Sequence, residues 1–163
     1  MVLKTLAALL VLCAVASAQY PAGAAGFLWQ GQTTATAGTF CWGFSCTATP
    51  VQITGGETVT LTVRGDFNMP YLIGISAGAN RCLMSPVWYN GLMLDDPIII
   101  LAQGQLTQVS GILACPNATD TVAAQLPNTV PVGATFSLQA AVLSGSAGLA
   151  QLSFTTTFDV TVL

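Results

Sequence analysis

The stretch ETVTLTVR, residues 57–64, alternates apolar and polar side chains along its length. Its two valines and its leucine would point to one side of an extended chain, and its threonines to the other. This period of two is typical of a β-strand with one buried face. Glycine-containing turn signals bound it at 55–56 and 65–66. The stretch therefore predicts a strand that packs one face on a core.

The same alternation recurs at 136–142 and 157–162, and shorter strand candidates lie at 52–53, 71–75, 98–102 and 107–113. Helical periodicity is nearly absent after the first residues. Many short strands separated by glycine and proline predict an all-β, mostly antiparallel β-sandwich in a single domain. We place the sandwich at 51–163 and an irregular N-terminal arm with a disulfide hairpin at 19–50. An outer-membrane barrel is disfavoured, because Leu163 is out of phase with the closing strand.

Residues 1–18 resemble a secretory signal peptide. Lys4 precedes an apolar run, and Ala16-Ser17-Ala18 offers small residues for cleavage before Gln19. The run is shorter than the roughly 20 residues of a membrane span. A lipid-anchor signal is a poorer fit, because Cys13 follows Leu12. We expect a secreted protein, extracellular or at the cell surface, with no transmembrane span in the mature chain.

Charge is sparse, with three Lys or Arg, six Asp or Glu and no His among 163 residues. Only Arg64 and Arg81 are basic after residue 18. Two cations cannot neutralise a row of phosphates, so we expect no nucleic-acid partner and no electrostatic binding to anionic lipid. Hydrophobic residues make up 53% of the chain, and so much apolar surface with so little charge permits self-association.

Several classes of catalytic and metal site are excluded by composition. Without histidine there is no Ser–His–Asp triad, no Cys–His pair and no imidazole metal site. No phosphate-binding glycine loop is present. Asp95 and Asp96 are adjacent and precede Pro97, which favours a polar turn over a catalytic carboxylate pair. Calcium is the alternative there, with weaker candidates in Asp66 with Asn68 and Asn117 with Asp120. We therefore predict no catalytic residue, no metal and no cofactor.

Four cysteines follow the signal: Cys41, Cys46, Cys82 and Cys115. An even number in an exported protein predicts two disulfides. A zinc site and a thioredoxin-type redox site are disfavoured, because no two of these cysteines are separated by two intervening residues and the chain has no histidine. Three pairings are possible. We favour Cys41–Cys46, which would lock a turn containing Gly43, and Cys82–Cys115, which would close a longer loop.

Aromatic residues supply the candidate ligand-stacking site: Trp42, Trp88 and Tyr89. Such side chains more often fill a sandwich core or cover its ends. Trp42 is the strongest ligand candidate, since a disulfide-locked turn would expose it rigidly. The tripeptide Arg64-Gly65-Asp66 matches an integrin motif, but after a strand it is typical of an ordinary turn.

Five segments carry a resemblance to a known family: GGETVTLTVRGD, PYLIGIS, LMLDDP, PVGATFSLQAAVL and FDVTVL. Together they resemble a small secreted β-domain of unknown function that is common in planctomycetes and related environmental bacteria. The resemblance implies an extracellular or cell-surface β-sandwich and no catalytic residues. Thr155-Thr156-Thr157 departs from the Asn-rich step of many members, and the cysteine hairpin is not part of the pattern.

We therefore expect a secreted, non-enzymatic structural or interaction module of the cell surface or extracellular matrix. The alternative is a lectin-like carbohydrate-binding module. The expected partners are other cell-surface or extracellular components, glycans among them.

Overall fold

The computed structural model describes residues 25–39, 45–109, 118–144 and 151–163. The predictions for the signal peptide, for Cys41, Trp42 and Cys115, and for Asn117 fall outside these ranges. The regular structure within them is entirely β. The strands are β1 Gly26–Gln30, β2 Ala37–Thr39, β3 Thr49–Ile53, β4 Thr58–Gly65, β5 Pro70–Ser76, β6 Leu83–Met84, β7 Trp88–Tyr89, β8 Gly91–Leu92, β9 Ile99–Gln105, β10 Gln108–Val109, β11 Ala118–Gln125, β12 Thr135–Ser144 and β13 Gln151–Val162.

The strands form two facing sheets and one small ribbon. Sheet I has the order β10-β11-β4-β1-β2, sheet II has the order β3-β13-β12-β5-β9, and β6 pairs with β8. Neighbours are antiparallel except β3 and β7, which both run parallel to β13. The prediction of a mostly antiparallel β-sandwich is confirmed. The ETVTLTVR stretch became β4, between β11 and β1.

The core lies between the sheets and is built from the inward positions that the alternation predicted. Val59, Leu61 and Val63 are each at most 3% exposed. Phe158 on the facing sheet contacts Phe27 and Trp29 of β1, with ring centroids 5.1 and 6.1 Å apart. Burying each such side chain is worth about 1.5–3 kcal/mol.

The stretch expected to be an irregular arm belongs to the sandwich. Residues 26–39 form β1 and β2, and β1 pairs with β4 over five positions. Trp29 is 1% exposed in the core. The arm prediction failed here because β1 is short and its residues are nearly all apolar, so no period-two signal marked it.

A bulge interrupts the pairing of the two longest strands. The register of β12 on β13 shifts between Gln139 and Ala141. The buried hydroxyl of Thr155 accepts a hydrogen bond from the Ala140 amide and donates to the Ala140 carbonyl, both at 3.0 Å. The side chain therefore replaces the ladder bonds that the bulge removes.

A polar contact between the sheets involves Tyr71, which is buried in the core. The Tyr71 hydroxyl on β5 donates to the Asp120 carboxylate on β11 at 2.7 Å. Burial, followed by this hydrogen bond and the Asp120 charge, raises the pKa of Tyr71. The phenol therefore stays protonated as a donor.

Across the described ranges, no helix is long and apolar enough to span a membrane.

Candidate functional site

A long excursion, residues 77–98 between β5 and β9, covers part of the outer face of sheet II. Gln139 of β12 fastens it: the side-chain oxygen accepts from the Met93 amide at 3.0 Å, and the side-chain nitrogen donates to the Gly91 and Thr155 carbonyls, each at 2.9 Å. Met93 and Leu94 are then almost fully buried. The excursion is thus held at a fixed position on the sheet.

Polar residues tie the two ends of the excursion together. The Asp95 carboxylate accepts from the Asn80 backbone and from its side-chain nitrogen, the latter at 2.7 Å. The Arg81 guanidinium donates to both oxygens of Asp96, at 2.7 and 3.2 Å. This hydrogen bond and then the opposite charge lower the pKa of Asp96 and raise that of Arg81. Asp95 and Asp96 therefore sit in a polar loop before β9.

The calcium sites that the sequence offered as alternatives gain no support from the hydrogen bonds of Asp66 and Asp120. Asp66 accepts from the Ser144 hydroxyl at 3.0 Å, and Asp120 accepts from Tyr71. Within the described residues no three of His, Cys, Asp and Glu cluster so as to hold a metal ion.

Two of the three predicted stacking residues lie next to each other on β7. Trp88 and Tyr89 are both half-buried, and β7 is hydrogen-bonded to Leu152 and Ser153 of β13. The Trp88 ring meets Phe154 edge-on, with centroids 5.5 Å apart. Its indole N–H is buried and has no hydrogen-bond partner.

Asn90 completes this surface. Its φ of 63° turns the chain after β7, and its side-chain nitrogen donates to the Phe154 carbonyl at 2.6 Å. Asparagine is among the few residues that tolerate this left-handed conformation. We call Trp88, together with the Asn90 side chain that also contacts Phe154, the β7 surface; Tyr89, the next residue of the strand, points to the opposite side. Whether Trp42 joins it lies outside the described residues.

The disulfide pairing that we favoured is wrong. Cys46 bonds to Cys82, with Cα atoms 5.5 Å apart, which rules out both Cys41–Cys46 and Cys82–Cys115. The reason is tertiary: β3 and β7 occupy the same edge of β13. The chain entering β3 therefore passes close to the chain that leads to β7.

The integrin-like tripeptide is unsuited to adhesion. Arg64 is only 7% exposed, because it lies in β4 between two neighbouring strands. Burial lowers its pKa. A Cβ at Gly65 would lie 2.6 Å from the Val142 side chain, so this glycine serves close packing of the sheets.

Sequence reasoning missed Glu57, a carboxylate that organises one end of the sandwich. It is 7% exposed and accepts hydrogen bonds from the Gln32 amide, the Thr33 amide and hydroxyl, and the Thr54 amide. Burial acts to raise the pKa of Glu57, but these hydrogen bonds outweigh it and lower that pKa. The signal that could have found it is its position as the sole glutamate, next to a Gly-Gly turn.

The alternation at 136–142 places Gln139 on the side of the strand opposite the apolar residues, and nothing in that pattern shows that this side is covered in the structure.

No protein-family profile and no curated protein matches this sequence. Among solved structures, the chain is similar to an AA10 lytic polysaccharide monooxygenase from Streptomyces lividans. That match has 11% identity, a TM-score of 0.39, and coverage of 69% of this chain and 59% of the other. A cellulose-active polysaccharide monooxygenase from M. thermophila matches at 11% identity and a TM-score of 0.38, over 71% of this chain and 54% of the other. The chain thus spans little more than half of either protein.

Both solved structures are named as enzymes. This finding contradicts the expectation of a non-enzymatic structural or interaction module, and we withdraw it together with the expectation that the protein has no enzymatic activity. Matches this distant assign no reaction, substrate or metal to this chain.

Proposed function

We propose that the protein binds an uncharged polysaccharide through the β7 surface. The observation that carries the proposal is Trp88, which is half-buried on a strand paired with β13 and meets Phe154 edge-on. Aromatic side chains offer an apolar body, with a polar tip in Tyr and Trp. Sugars present the complementary surface, with C–H groups on the ring face and hydroxyls around it.

The β7 surface is pre-organised for such contact. Phe154 holds the Trp88 ring edge-on, Asn90 is tied to the Phe154 carbonyl, and Gln139 anchors the residues that follow. Side chains already fixed in place lose less conformational entropy when a ligand binds. A rigid platform therefore favours binding to a regular polymer surface.

The charge distribution supports an uncharged ligand. Arg81 is engaged with both oxygens of Asp96, and Arg64 is buried in sheet I. The formal net charge of the chain is −3. A uronate or sulfated polysaccharide would therefore meet repulsion without a cation to offset it.

A location outside the cytoplasm forms part of the proposal. The Cys46–Cys82 disulfide supports an oxidising compartment, as does the signal-like sequence of residues 1–18. Kinship with the secreted β-domains of planctomycetes stays a proposal that rests on the five segments described above. Mass spectrometry of secreted protein should give Gln19 as its first residue.

Binding can be tested on the secreted protein with cellulose, chitin and soluble neutral glucans, measured by depletion and by isothermal calorimetry. We expect at least one neutral polysaccharide to bind. Trp88→Ala should weaken that binding at least tenfold, which is about 1.4 kcal/mol. Val132→Ala is the control, because Val132 is a 78% exposed apolar residue next to Gly133, which is hydrogen-bonded to Val162 at the other end of β13 from β7.

Trp88→Phe keeps an aromatic ring against Phe154 and checks that a loss in Trp88→Ala is not caused by misfolding. Raising the salt concentration from about 0.1 M to about 1 M should leave the affinity unchanged, since no charge pair is involved. Equal binding by Trp88→Ala and the wild type would refute the assignment of the site. Absence of binding to every neutral polysaccharide would refute the function.

A further inference from the structure

A second feature with binding chemistry lies at one end of the sandwich, away from β7. A pocket of about 160 Å³ opens between the sheets, beside β9 of sheet II and β11 of sheet I. Leu61 and Leu138, both almost fully buried, are among its inner wall residues. Leu101, Ala124 and Phe136 lie nearer the opening. Two lining residues carry polar side-chain groups: Gln125, and Trp29, whose indole N–H is buried and has no hydrogen-bond partner.

The pocket exists because two positions leave the gap between the sheets unfilled. Ala124 pairs with Val59, a core residue, so it faces inward, yet its side chain is a single methyl group. On the other side, β9 shifts register against β5 so that Leu101 has no paired residue. Leu101 is 43% exposed.

The size and lining of the pocket define what it can hold. Apart from Trp29 and Gln125 the lining is apolar, which favours an apolar occupant over water, since a buried water makes two to four hydrogen bonds. An apolar cavity of about 150 Å³ takes a benzene-sized molecule. We propose that this pocket binds a small uncharged apolar group, an aromatic ring or a short alkyl chain. This site is independent of the β7 surface, and the proposal does not depend on polysaccharide binding.

Two probes distinguish the two sources of such a group: toluene for a ring and 1-hexanol for an alkyl chain. Each is titrated into the secreted protein while methyl and aromatic NMR signals are followed. We expect at least one probe to shift the signals of Leu101, Leu138 and Phe136 saturably, with a dissociation constant of roughly 1 mM or below.

Ala124→Leu fills the pocket from within and should reduce the affinity for the probe at least tenfold. Ala123→Leu is the matched control: it adds the same group on the neighbouring exposed position of β11 and should leave binding unchanged. Ala124→Val is a smaller filling variant, for use if leucine does not fit, with a partial loss expected.

Trp88→Ala should bind the probes as the wild type does, which separates this proposal from that of polysaccharide binding. The proposal is overturned if neither probe gives saturable shifts. It is also overturned if Ala124→Leu and Ala124→Val bind as well as the wild type, or if the shifts fall on outer-face residues such as Leu72 and Leu143.

Discussion

Replacing Glu57 with glutamine tests a buried carboxylate that accepts four hydrogen bonds. One carboxylate oxygen accepts from the Gln32 and Thr33 amides, and the other from the Thr33 hydroxyl and the Thr54 amide, at 2.7 and 2.9 Å for the latter pair. These contacts join the loop after β1 to the turn between β3 and β4. Glutamine has the same shape but only one acceptor oxygen.

The magnitude follows from counting the donors that glutamine can still satisfy. Its oxygen can keep the two amides on one side, and the Thr33 hydroxyl can rotate to accept from the new NH2 group. The Thr54 N–H then faces another donor. The Thr54 amide is only partly buried, so orphaning it costs about 1 kcal/mol, and exchanging charged for neutral hydrogen bonds costs about as much again. We expect a loss of about 2 kcal/mol in the free energy of unfolding at pH 7, or about 4–8 °C in Tm.

The pH dependence gives a second check. The pKa of Glu57 is lowered from its ordinary value of 4.5 in the folded state. Its stabilisation is therefore complete above that value and is lost as pH falls through the lowered folded value. The wild type should accordingly lose its advantage over Glu57→Gln in acid, and the two should converge well below pH 4.5.

Urea unfolding at a series of pH values measures both effects. Asp96→Asn is the matched control, since this carboxylate is 77% exposed in its ion pair and solvent screens such surface pairs, so the variant should unfold much as the wild type does. A Glu57→Gln protein within about 0.5 kcal/mol of the wild type at pH 7 would refute the reasoning. So would a difference between the two proteins that stays constant down to pH 3.

Two further predictions concern the excursion on sheet II. Peptide mapping without reductant should recover Cys46 linked to Cys82, and a link from Cys46 to Cys41 would contradict the structure. Cys46→Ser should lower the free energy of unfolding by about 4 kcal/mol, because the bond spans 36 residues. Gln139→Leu should cost about 2–4 kcal/mol and speed amide exchange in residues 77–98, since it leaves buried backbone groups unpaired. The exposed Gln103→Leu should change neither, and identical behaviour of the two variants would exclude an anchoring role for Gln139.

The alternation of apolar and polar residues was enough to locate a strand where one face of that strand packs on the core. Residues 57–64, 136–142 and 157–162 were each found in strands near their predicted bounds, because side-chain alternation is a property of the strand itself. The class of fold followed from many such segments. The same reasoning overlooked β1, whose residues are buried on both faces apart from Gln30.

The candidate site could be predicted from the sequence only in part. Trp88 and Tyr89 could be named as ligand candidates from residue type, but as neighbours in β7 their side chains point to opposite sides of the strand. The residues that hold this part of the chain in place could not be predicted, because Phe154 and Gln139 are far away in sequence. Phe154 reaches Trp88 through the pairing of β7 with β13, and Gln139 reaches Gly91 because residues 77–98 cover β12.

The sequence by itself determined the all-β class, the positions of the long strands and the absence of imidazole chemistry, since these depend on composition and on neighbours two residues apart. Tertiary structure alone decided which strands share an edge, and with that the Cys46–Cys82 pairing, the burial of Gln139 and the hydrogen bonds of Glu57. The physical reason is that each of these contacts joins groups 16 to 48 residues apart, apart from the local one between Glu57 and Thr54. The partner at such a distance is chosen by the packing of whole sheets and leaves no periodic trace in the chain.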